Sequence, residues 1–475
     1  MSFDQLMGWV EQEHGFPAQL EDFHNRRCAW LFEQGLGRDL TMPVTVVAGS
    51  CGKASTARFL AFIVRALLDA TGETRPLGLG TKPPLQETLQ GNRERYQLFE
   101  AGQPVPRWIA PQEFTRLAAQ LQALVEGLPA ELGPLAAYDL RYWLLGRFFV
   151  EQQVAFGIVE ANIGLRLDPA SVFPEPALAL LTPIGNDHGA QLKPDGAPDW
   201  LALLGDRAGP TWHKAGGLPP GAPVVVGRQT IAVEQAIARL HPRNLTLWER
   251  DYEATEVVAG TRGTTMRLRL GEESFEVRLS VVGRFQADNA AQAAAGAWVL
   301  WKEGKLPGTF AQLRQAVVTG LERADTPGRL QLYAQEPTTY VALATGFIKV
   351  DTLMKSLEEL LDSHHPESRL VVCLTFLDRI FEVRRSFERI LESPRLEAAV
   401  VTSFFDDDEN RDLAPEVLAG WAAGSEVRVC PDPGQAVETA RRLAHPERDL
   451  VLLLGNGLCH SLDLSPEPKL RGNKL

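Results

Sequence analysis

The sequence predicts an α/β protein with a mainly parallel β-sheet, and two observations support this. Short apolar runs alternate with longer amphipathic segments along the chain. Four of these runs, at 44–48, 156–160, 178–182 and 223–226, are apolar almost throughout instead of alternating with polar residues. Strands of this kind are typical of a parallel sheet that helices cover on both faces.

The segments around these runs fit the same fold class. Residues 57–68 place apolar side chains at helical spacing shortly after the first run. The pattern changes at 262–270 and 276–279, which predict antiparallel strands with Gly271 in the turn between them. An alanine-rich helix follows at 287–303, because alanine loses little side-chain entropy in a helix.

A domain boundary is predicted in the segment 324–328, where turn-forming residues cluster. Beyond it the α/β pattern starts again, with a helix at 350–361 and strand-like runs at 339–344, 369–374, 398–402 and 449–454. The sequence therefore predicts a larger domain over residues 1–325, with an N-terminal helical extension. A smaller Rossmann-like α/β domain is predicted over residues 326–475.

The strongest local signal is a short loop between the first strand and the helix that follows. Its pattern, Gly49-x-x-Gly52-Lys53-x-Ser55, is shorter than the usual phosphate-binding loop GxxxxGK[ST]. Glycine lets the backbone approach phosphates, lysine offers a positive charge, and a hydroxyl can bind Mg²⁺. The alternative is an incidental glycine turn, but the position between a strand and a helix favours phosphate binding. We therefore expect these residues to bind a nucleotide: Gly49, Ser50, Cys51, Gly52, Lys53, Ala54, Ser55 and Thr56.

The bulk composition narrows the class of protein. The net charge of −12 argues against a nucleic-acid binder, which needs a cationic face. The five cysteines are scattered without a CxxC pair, which favours a reducing compartment over a disulfide framework. No apolar stretch approaches the roughly 18 residues of a membrane span. The sequence predicts a cytoplasmic protein with neither nucleic-acid nor membrane partners, and it leaves open both a monomer and a complex with a partner protein.

The phosphate loop is one of a series of segments that share a pattern. The others read GTKPPL at 80–85, RER at 93–95, IAPQEF at 109–114, EANIGLRLD at 160–168, IGNDH at 184–188, KAG at 214–216 followed by PGAPVV at 220–225, GRFQADNA at 283–290, PGR at 327–329, RDLAPEVL at 411–418 and GNG at 455–457. In the same order, they resemble segments of the folylpolyglutamate synthase-like branch of the Mur ligase superfamily. The likeness runs through nearly the whole chain, and this joint match is more specific than any single motif.

The resemblance implies a P-loop ATPase domain over 1–325 and a C-terminal ligase domain over 326–475. It implies ATP and Mg²⁺ as cofactors, with Ser55, Glu160 and His188 as metal ligands. Hydroxyl and carboxylate oxygens suit this hard cation, and one imidazole is acceptable. Taken singly, Glu160 would be interpreted as a strand-end carboxylate and His188 as a hydrogen-bonded loop histidine.

The resemblance also implies catalytic roles for Lys53, Lys214 and His188. Lys214 would be the family's carbamylated lysine, which supplies a carboxylate to a second Mg²⁺. Two alternatives remain: Lys214 is an exposed loop lysine, or Arg207 takes its place in the alignment. Arginine there would exclude a carbamate, because its side chain stays protonated.

Three residues beyond the loop complete the implied nucleotide site. Gln286 and Asn289 would contact the adenine or the phosphates, and Arg329 would reach the γ-phosphate. The alternative for Asn289 is ordinary capping of a helix N-terminus. The alternative for Arg329 is a surface salt bridge, although the preceding Pro-Gly turn favours a fixed side chain.

The chain departs from the family where substrates are expected to bind. Residues 344–349 read ATGFIK where the family has DGAHNP, which contacts nucleotide and helps place the amino acid. Lys82 and Pro84 replace the serine and histidine of the family's TSPHL segment, which lies near the pterin. The family's DKD element is reduced to Leu377-Asp378-Arg379. The ATP-binding half is therefore retained, while both substrate-facing elements are changed.

The resemblance implies an ATP- and Mg²⁺-dependent ligase that joins a carboxylate to an amine through an acyl phosphate. The changed segments imply a substrate other than folate. Three alternatives remain: a folate enzyme with altered motifs, a nucleotide-binding homologue that is regulatory or non-catalytic, and an NTPase unrelated to ligation.

Overall fold

The structure is a computed structural model that describes most of the chain. The described residues are 2–10, 25–36, 39–85, 91–132, 135–173, 176–187, 192–219, 221–344, 346–364, 367–378, 382–404, 412–422, 426–455, 458 and 462. The chain forms two compact units. The first comprises Met1–Ala254, Leu268–Phe275 and Asp288–Arg323, and the second comprises Thr255–Arg267, Glu276–Ala287 and Ala324–Leu475.

An eight-stranded sheet lies at the centre of the first unit. Its strands are β1 (Val44–Ala48), β2 (Leu77–Gly80), β3 (Tyr96–Phe99), β4 (Arg107–Trp108), β5 (Phe156–Glu160), β6 (Leu178–Leu181), β7 (Val224–Val226) and β8 (Leu245–Leu247). Their order is β4-β3-β2-β5-β1-β6-β7-β8. Strands β2, β5, β1, β6, β7 and β8 run parallel, whereas β3 and β4 add antiparallel strands at one edge. The mainly parallel sheet predicted from the apolar runs is confirmed.

Nine α-helices are described between residues 3 and 323. They are α1 (Phe3–Gly8), α2 (Asn25–Gly35), α3 (Lys53–Ala70), α4 (Pro111–Val125), α5 (Ala137–Glu151), α6 (Ala208–Ala215) and α7 (Ile231–Leu240), followed by α8 (Arg284–Lys302) and α9 (Phe310–Arg323). Among the described residues, no helix combines the length and the apolar character needed to cross a membrane.

The phosphate loop joins two buried elements of the first unit, the strand β1 and the helix α3. All five residues of β1 are buried, with β5 and β6 paired on either side. Helix α3 buries most of its length and packs against α9. The two helices approach so closely that a Cβ at Gly320 would lie 2.7 Å from the Ile63 Cα. A glycine is therefore required at this helix crossing.

The second unit contains a six-stranded sheet. Its strands are β12 (Arg329–Gln335), β13 (Thr338–Ala342), β14 (Leu370–Leu374), β15 (Leu396–Val401), β16 (Val427–Val429) and β17 (Leu450–Leu454), and its order is β12-β13-β17-β14-β15-β16. All neighbouring strands pair in parallel except β12 with β13. The helices are α10 (Phe347–His364), α11 (Val383–Leu391), α12 (Pro415–Trp421) and α13 (Pro433–Leu443). The expected second α/β sheet is confirmed.

A three-stranded sheet precedes α8 in the chain. It consists of β9 (Tyr252–Gly260), β10 (Gly263–Leu270) and β11 (Glu273–Leu279), in the order β11-β10-β9. Gly271 lies in the turn between β10 and β11 with a φ of 60°, as the sequence predicted for a glycine turn. Residues 255–267 and 276–287 of this region belong to the second unit. The division at residue 325 stays a prediction.

Candidate functional site

The loop between β1 and α3 has a backbone that only glycine accommodates at two positions. Gly49 has a φ of 140°, and a Cβ there would lie 2.0 Å from Thr182 Oγ1. Gly52 has a φ of 84°, and a Cβ there would lie 2.3 Å from Asn289 Oδ1. Positive φ and close neighbours together explain why the loop carries glycine where it does. Asn289 is brought directly against the loop.

The loop ends at the N-terminus of α3, an 18-residue helix that begins at Lys53. The Lys53 Nζ donates a hydrogen bond to the Gly49 carbonyl at 2.9 Å, so its side chain folds back over the loop. Ser55 and Thr56, in the first turn of the helix, are buried, while Cys51 is partly exposed. Because a helix N-terminus carries unsatisfied N–H groups and a partial positive charge, this arrangement can bind an anion.

Asp187 links this loop to a buried lysine. The Ser50 hydroxyl donates to Asp187 Oδ1, and the Gly185 N–H donates to Ser50 Oγ at 2.8 Å. The Lys214 Nζ lies 3.3 Å from both carboxylate oxygens of Asp187, and its side chain is 0% exposed. Sequence reasoning did not select Asp187, although it lies within the IGNDH segment beside the predicted ligand His188. An acidic residue next to a predicted metal ligand was the sequence feature that could have identified Asp187.

The position of Lys214 distinguishes it from the alternative candidate, Arg207. Lys214 lies in the last turn of α6 and is fully buried, so it is not an exposed loop lysine. Arg207 precedes the same helix and is exposed. The neighbouring His213 is buried, with its Nε2 2.8 Å from the Lys193 carbonyl, and this burial lowers the pKa of His213.

Glu160 stands at the carboxyl end of β5 and is 6% exposed. Its Cα is paired with that of Val47 on β1, so the carboxylate lies at the sheet edge where the phosphate loop begins. The Lys82 N–H donates to Glu160 Oε2 at 2.9 Å, and the Tyr142 hydroxyl donates to the Glu160 carbonyl at 2.6 Å. The carboxylate is thus held at the strand end by the Lys82 N–H, and its role as a metal ligand stays a prediction.

A pocket opens beside Glu160 at the carboxyl ends of β2 and β5. We call it the β2–β5 pocket, and it is lined by Gly80, Thr81, Lys82, Arg95, Tyr96, Tyr138, Arg141, Tyr142, Leu145 and Glu160. The space between these side chains, counted together with the open solvent at its mouth, is about 350 Å³. Three cationic side chains and three tyrosines surround a single carboxylate. Sequence reasoning identified Glu160 and Lys82 here and quoted Arg95 within the segment 93–95, but it gave no role to Arg95 and did not select Arg141 or the tyrosines.

Gln286 and Arg329 contact each other in the second unit. The Gln286 Nε2 donates to Thr326 Oγ1 at 2.9 Å and to the Arg329 carbonyl at 3.0 Å. The Arg329 Nη1 donates to the Pro327 carbonyl at 2.8 Å. Their assignment as nucleotide contacts stays a prediction.

His188 lies outside the described residues, and the same holds for several residues of the other motifs: Thr345, Pro220, Arg379, Arg411, Asn456 and Gly457. Within the residues that the structure describes, no group of three or more His, Cys, Asp or Glu side chains is arranged to hold a metal ion. A metal site on Ser55 and Glu160 would therefore need a further ligand, such as His188 or a phosphate oxygen of the nucleotide.

Comparisons with known proteins agree with this fold. Residues 328–457 match the protein family described as "Mur ligase, glutamate ligase domain". The dihydrofolate synthase/folylpolyglutamate synthase of Bacillus subtilis is 28% identical over 327 residues, which cover 66% of this chain and 67% of that protein. The corresponding protein of Mycobacterium tuberculosis is 26% identical over 64% of this chain and 59% of its own length.

The fold is shared with a solved structure. Mycobacterium tuberculosis folylpolyglutamate synthase, in complex with ADP, superposes with a TM-score of 0.76 at 22% identity and covers 97% of each chain. The two parallel-rich sheets define an α/β protein with the fold of the folylpolyglutamate synthases. In its C-terminal residues 328–457 the chain is similar to the Mur ligase glutamate ligase domain, and as a whole it resembles folylpolyglutamate synthases in sequence and fold.

Proposed function

We propose that this protein is an ATP- and Mg²⁺-dependent ligase that joins a carboxylate to an amine. The observation that carries this proposal is the linked set of Ser50, Asp187 and Lys214. It joins the phosphate loop to a fully buried lysine at the sheet edge where Glu160 also lies. A simple phosphate-binding loop would not need such a charged group behind it.

The loop residues Gly49, Ser50, Cys51, Gly52, Lys53, Ala54, Ser55 and Thr56 are proposed to bind ATP. A Cβ at Gly49 or Gly52 would clash with Thr182 or Asn289, so only glycine allows this path of the backbone, along which phosphates can be approached closely. Lys53 supplies a positive charge at this loop, and Asn289 lies against Gly52. Gln286 and Arg329 stay proposed nucleotide contacts.

Ser55, Glu160 and His188 are proposed to hold Mg²⁺. The hydroxyl and the carboxylate supply oxygen donors, which this cation prefers. Bound Mg²⁺ would neutralise charge on the phosphates during phosphoryl transfer. Lys214 faces Asp187, so a carbamate on Lys214 would bring two carboxylates together and would require a divalent cation there.

In the proposed reaction, the acid substrate takes the γ-phosphoryl group of ATP and forms an acyl phosphate and ADP. The amine then displaces phosphate and forms the amide. The chain's own residues position the reactants and stabilise charge. Lys53 would stabilise negative charge on the phosphates, and Glu160 and Asp187 would position the reacting groups near the carboxyl ends of the strands. Lys214 and His188 complete the proposed catalytic set.

The acid is proposed to differ from folate. Lys82 and Pro84 stand where the family has serine and histidine near the pterin, and Lys82 lines the β2–β5 pocket. The resemblance also implies that the segment 344–349, which ends in the first turn of α10, departs from the family's DGAHNP. Small-molecule acid and amine substrates, a cytoplasmic location and the division into domains 1–325 and 326–475 are part of this proposal.

The test measures ADP release with Mg²⁺ and ATP against a panel of acids and amines, including dihydropteroate and tetrahydrofolate with glutamate. Acid-dependent ADP release is expected, together with loss of release in Lys53→Ala and retention in the surface variant Lys355→Ala. ADP release that survives Lys53→Ala contradicts the assigned site. Thermal stabilisation by Mg-ATP without ADP release on any acid would support a nucleotide-binding non-catalytic protein instead.

A further inference from the structure

Gln97 is a buried side chain that joins helix α3 to the residues that follow β2. It lies on β3, opposite Leu79 of β2, and is 1% exposed. Its Oε1 accepts a hydrogen bond from Arg58 Nη1 at 2.7 Å. Its Nε2 donates to Thr81 Oγ1 at 3.2 Å and to the Glu94 carbonyl at 2.7 Å. Because a guanidinium only donates, the amide oxygen must face Arg58 and the nitrogen must face the other two groups.

Arg58 attaches this amide to α3. It is 5% exposed, and its guanidinium carbon lies 5.6 Å from the centre of the Phe62 ring and 6.0 Å from that of the Phe99 ring. A buried guanidinium packed against aromatic rings has little freedom to move. Ser55, a proposed metal ligand, lies about one turn before Arg58 on the same helix. Gln97 is therefore fixed to the helix that carries this ligand.

The segment 81–85, which follows β2, holds the other proposed ligand. The Lys82 N–H donates to Glu160 Oε2 at 2.9 Å. At the end of the segment, the Leu85 N–H donates to Glu94 Oε2 at 2.8 Å. The residues between them are prolines, which have no N–H to offer. The few polar contacts of this segment therefore decide where the Lys82 N–H points.

The direction of the Glu160 carboxylate depends on that N–H. A carboxylate at a strand end can rotate about its own side-chain bonds, and a donor to one oxygen fixes where the other oxygen points. Such a donor is effective only if it is held in place itself. The Thr81 side chain adjoins Lys82 and is held by Gln97, so the orientation of Glu160 is linked to α3.

We propose that Gln97 is a positioning residue for Glu160. It holds the segment 81–85 against α3, and the Lys82 N–H of that segment directs the carboxylate. This inference rests on the proposed function, in which Ser55 and Glu160 take part in holding Mg²⁺. Gln97 acts through Lys82 and is not a catalytic residue. A Gln97 that only satisfied the buried Arg58 would have no influence on the segment.

The first measurement is hydrogen exchange by mass spectrometry on the full-length protein. A peptide that covers 81–85 reports the amides of this segment apart from its two prolines. Gln97→Glu keeps an acceptor for Arg58 but removes the donor to Thr81. Thr81→Val removes the acceptor of that donor at nearly the same shape. Both variants should speed exchange in this peptide about fivefold or more, as the loss of a neutral hydrogen bond predicts.

The second measurement compares the binding of a non-hydrolysable ATP analogue with Mg²⁺ and in EDTA by calorimetry. Both variants should weaken binding about tenfold with Mg²⁺ and leave binding in EDTA within about twofold, because they misdirect a proposed metal ligand and leave the loop 49–56 unchanged. Glu160→Gln should also weaken binding with Mg²⁺. Gln97→Glu added to Glu160→Gln should have little further effect, since both changes act on the same carboxylate.

Gln152→Glu is the matched control. The Gln152 Oε1 accepts from Arg107 Nη2 at 2.9 Å, and its Nε2 donates to Glu113 Oε1 at 2.9 Å. The same substitution therefore keeps an arginine's acceptor and removes a donor, but the partners lie outside the segment 81–85. Gln152→Glu should leave exchange in the 81–85 peptide and both binding constants unchanged.

Three results would overturn the inference: unchanged exchange at 81–85 in Gln97→Glu and Thr81→Val, equal weakening of binding with Mg²⁺ and in EDTA, or equal effects in Gln152→Glu. Melting temperatures identify a variant that fails to fold, and Thr81→Val keeps the test valid if Gln97→Glu is unstable. If Mg²⁺ does not strengthen binding to the unmodified protein, the proposed metal site fails. Faster exchange at 81–85 would then still support the hold of Gln97 on this segment.

Discussion

Substitution of Gly52 by alanine tests whether the loop between β1 and α3 requires glycine at this position. Gly52 combines a φ of 84° with a Cβ position 2.3 Å from Asn289 Oδ1. The left-handed backbone costs an alanine about 1 kcal/mol. Displacing a buried side chain adds a cost on the order of 1–3 kcal/mol. Gly52→Ala should therefore lower the free energy of unfolding by roughly 2–4 kcal/mol.

Gly72 provides a matched control for the backbone contribution. It has a φ of 79° in an exposed turn after α3, and a Cβ there would meet nothing within 4 Å. Gly72→Ala should cost only the backbone share, about 1 kcal/mol. The difference between the two variants measures the contact with Asn289, and Gly52→Ala/Asn289→Ala should recover part of it.

Urea unfolding and Mg-ATP binding are measured on the same variants. Gly52→Ala should lose most of its affinity for Mg-ATP, because the shifted loop misplaces the backbone N–H groups. Gly72→Ala should bind Mg-ATP like the unmodified protein. Equal stability losses in both variants, with ATP binding intact in Gly52→Ala, would refute the assignment of Gly52 to a nucleotide cradle.

Three further predictions concern the charged and titratable groups near the loop. Asp187→Asn leaves Lys214 buried without its counter-charge and should cost about 3 kcal/mol, more than Lys214→Met, and equal costs in urea unfolding would contradict the pairing. Cys51 should react with iodoacetamide in the native protein and be protected by Mg-ATP, whereas Cys28 is buried, which raises its pKa, and should react only on unfolding. Peptide mass spectrometry measures the labelling of both cysteines, and a Cys51 that Mg-ATP does not protect would argue against ATP at the loop. Burial lowers the pKa of His213 below its usual 6.5, so the contribution of His213 to folding stability is present above pH 6.5 and is lost as the pH falls below 6.5. The variant His213→Gln should therefore lose less stability than the unmodified protein between pH 7.5 and 5.5, and an equal loss in both proteins would contradict this account.

Several elements could be predicted from the sequence because their pattern is local. The run at 44–48 coincides with β1, and that at 156–160 with β5, because uninterrupted apolar residues mark a strand buried on both faces. Helix α3 begins at Lys53, four residues before its apolar spacing becomes visible at Ala57. The difference arises because Gly52 caps the helix without a side-chain signal.

Only part of the candidate site could be predicted from the sequence. Glu160 was placed correctly at a strand end, because the strand itself was predictable. Asp187 was not selected, because its partners Ser50 and Lys214 are 137 and 27 residues away in the chain. Their pairing depends on how β6 and α6 pack, which no local pattern encodes. The alternatives of an exposed Lys214 and of Arg207 were separable only by burial.

The sequence by itself determined the fold class, the phosphate loop and the series of motifs that mark a folylpolyglutamate synthase-like chain. These features depend on residue spacing and backbone preference, which act over a few neighbours. Only the tertiary structure decided that Lys214 faces Asp187 in the interior, and that Arg95 and Arg141 share a pocket with Glu160. Charges distant in sequence come together only when strands pair in register, and this register is set by burial of the whole sheet.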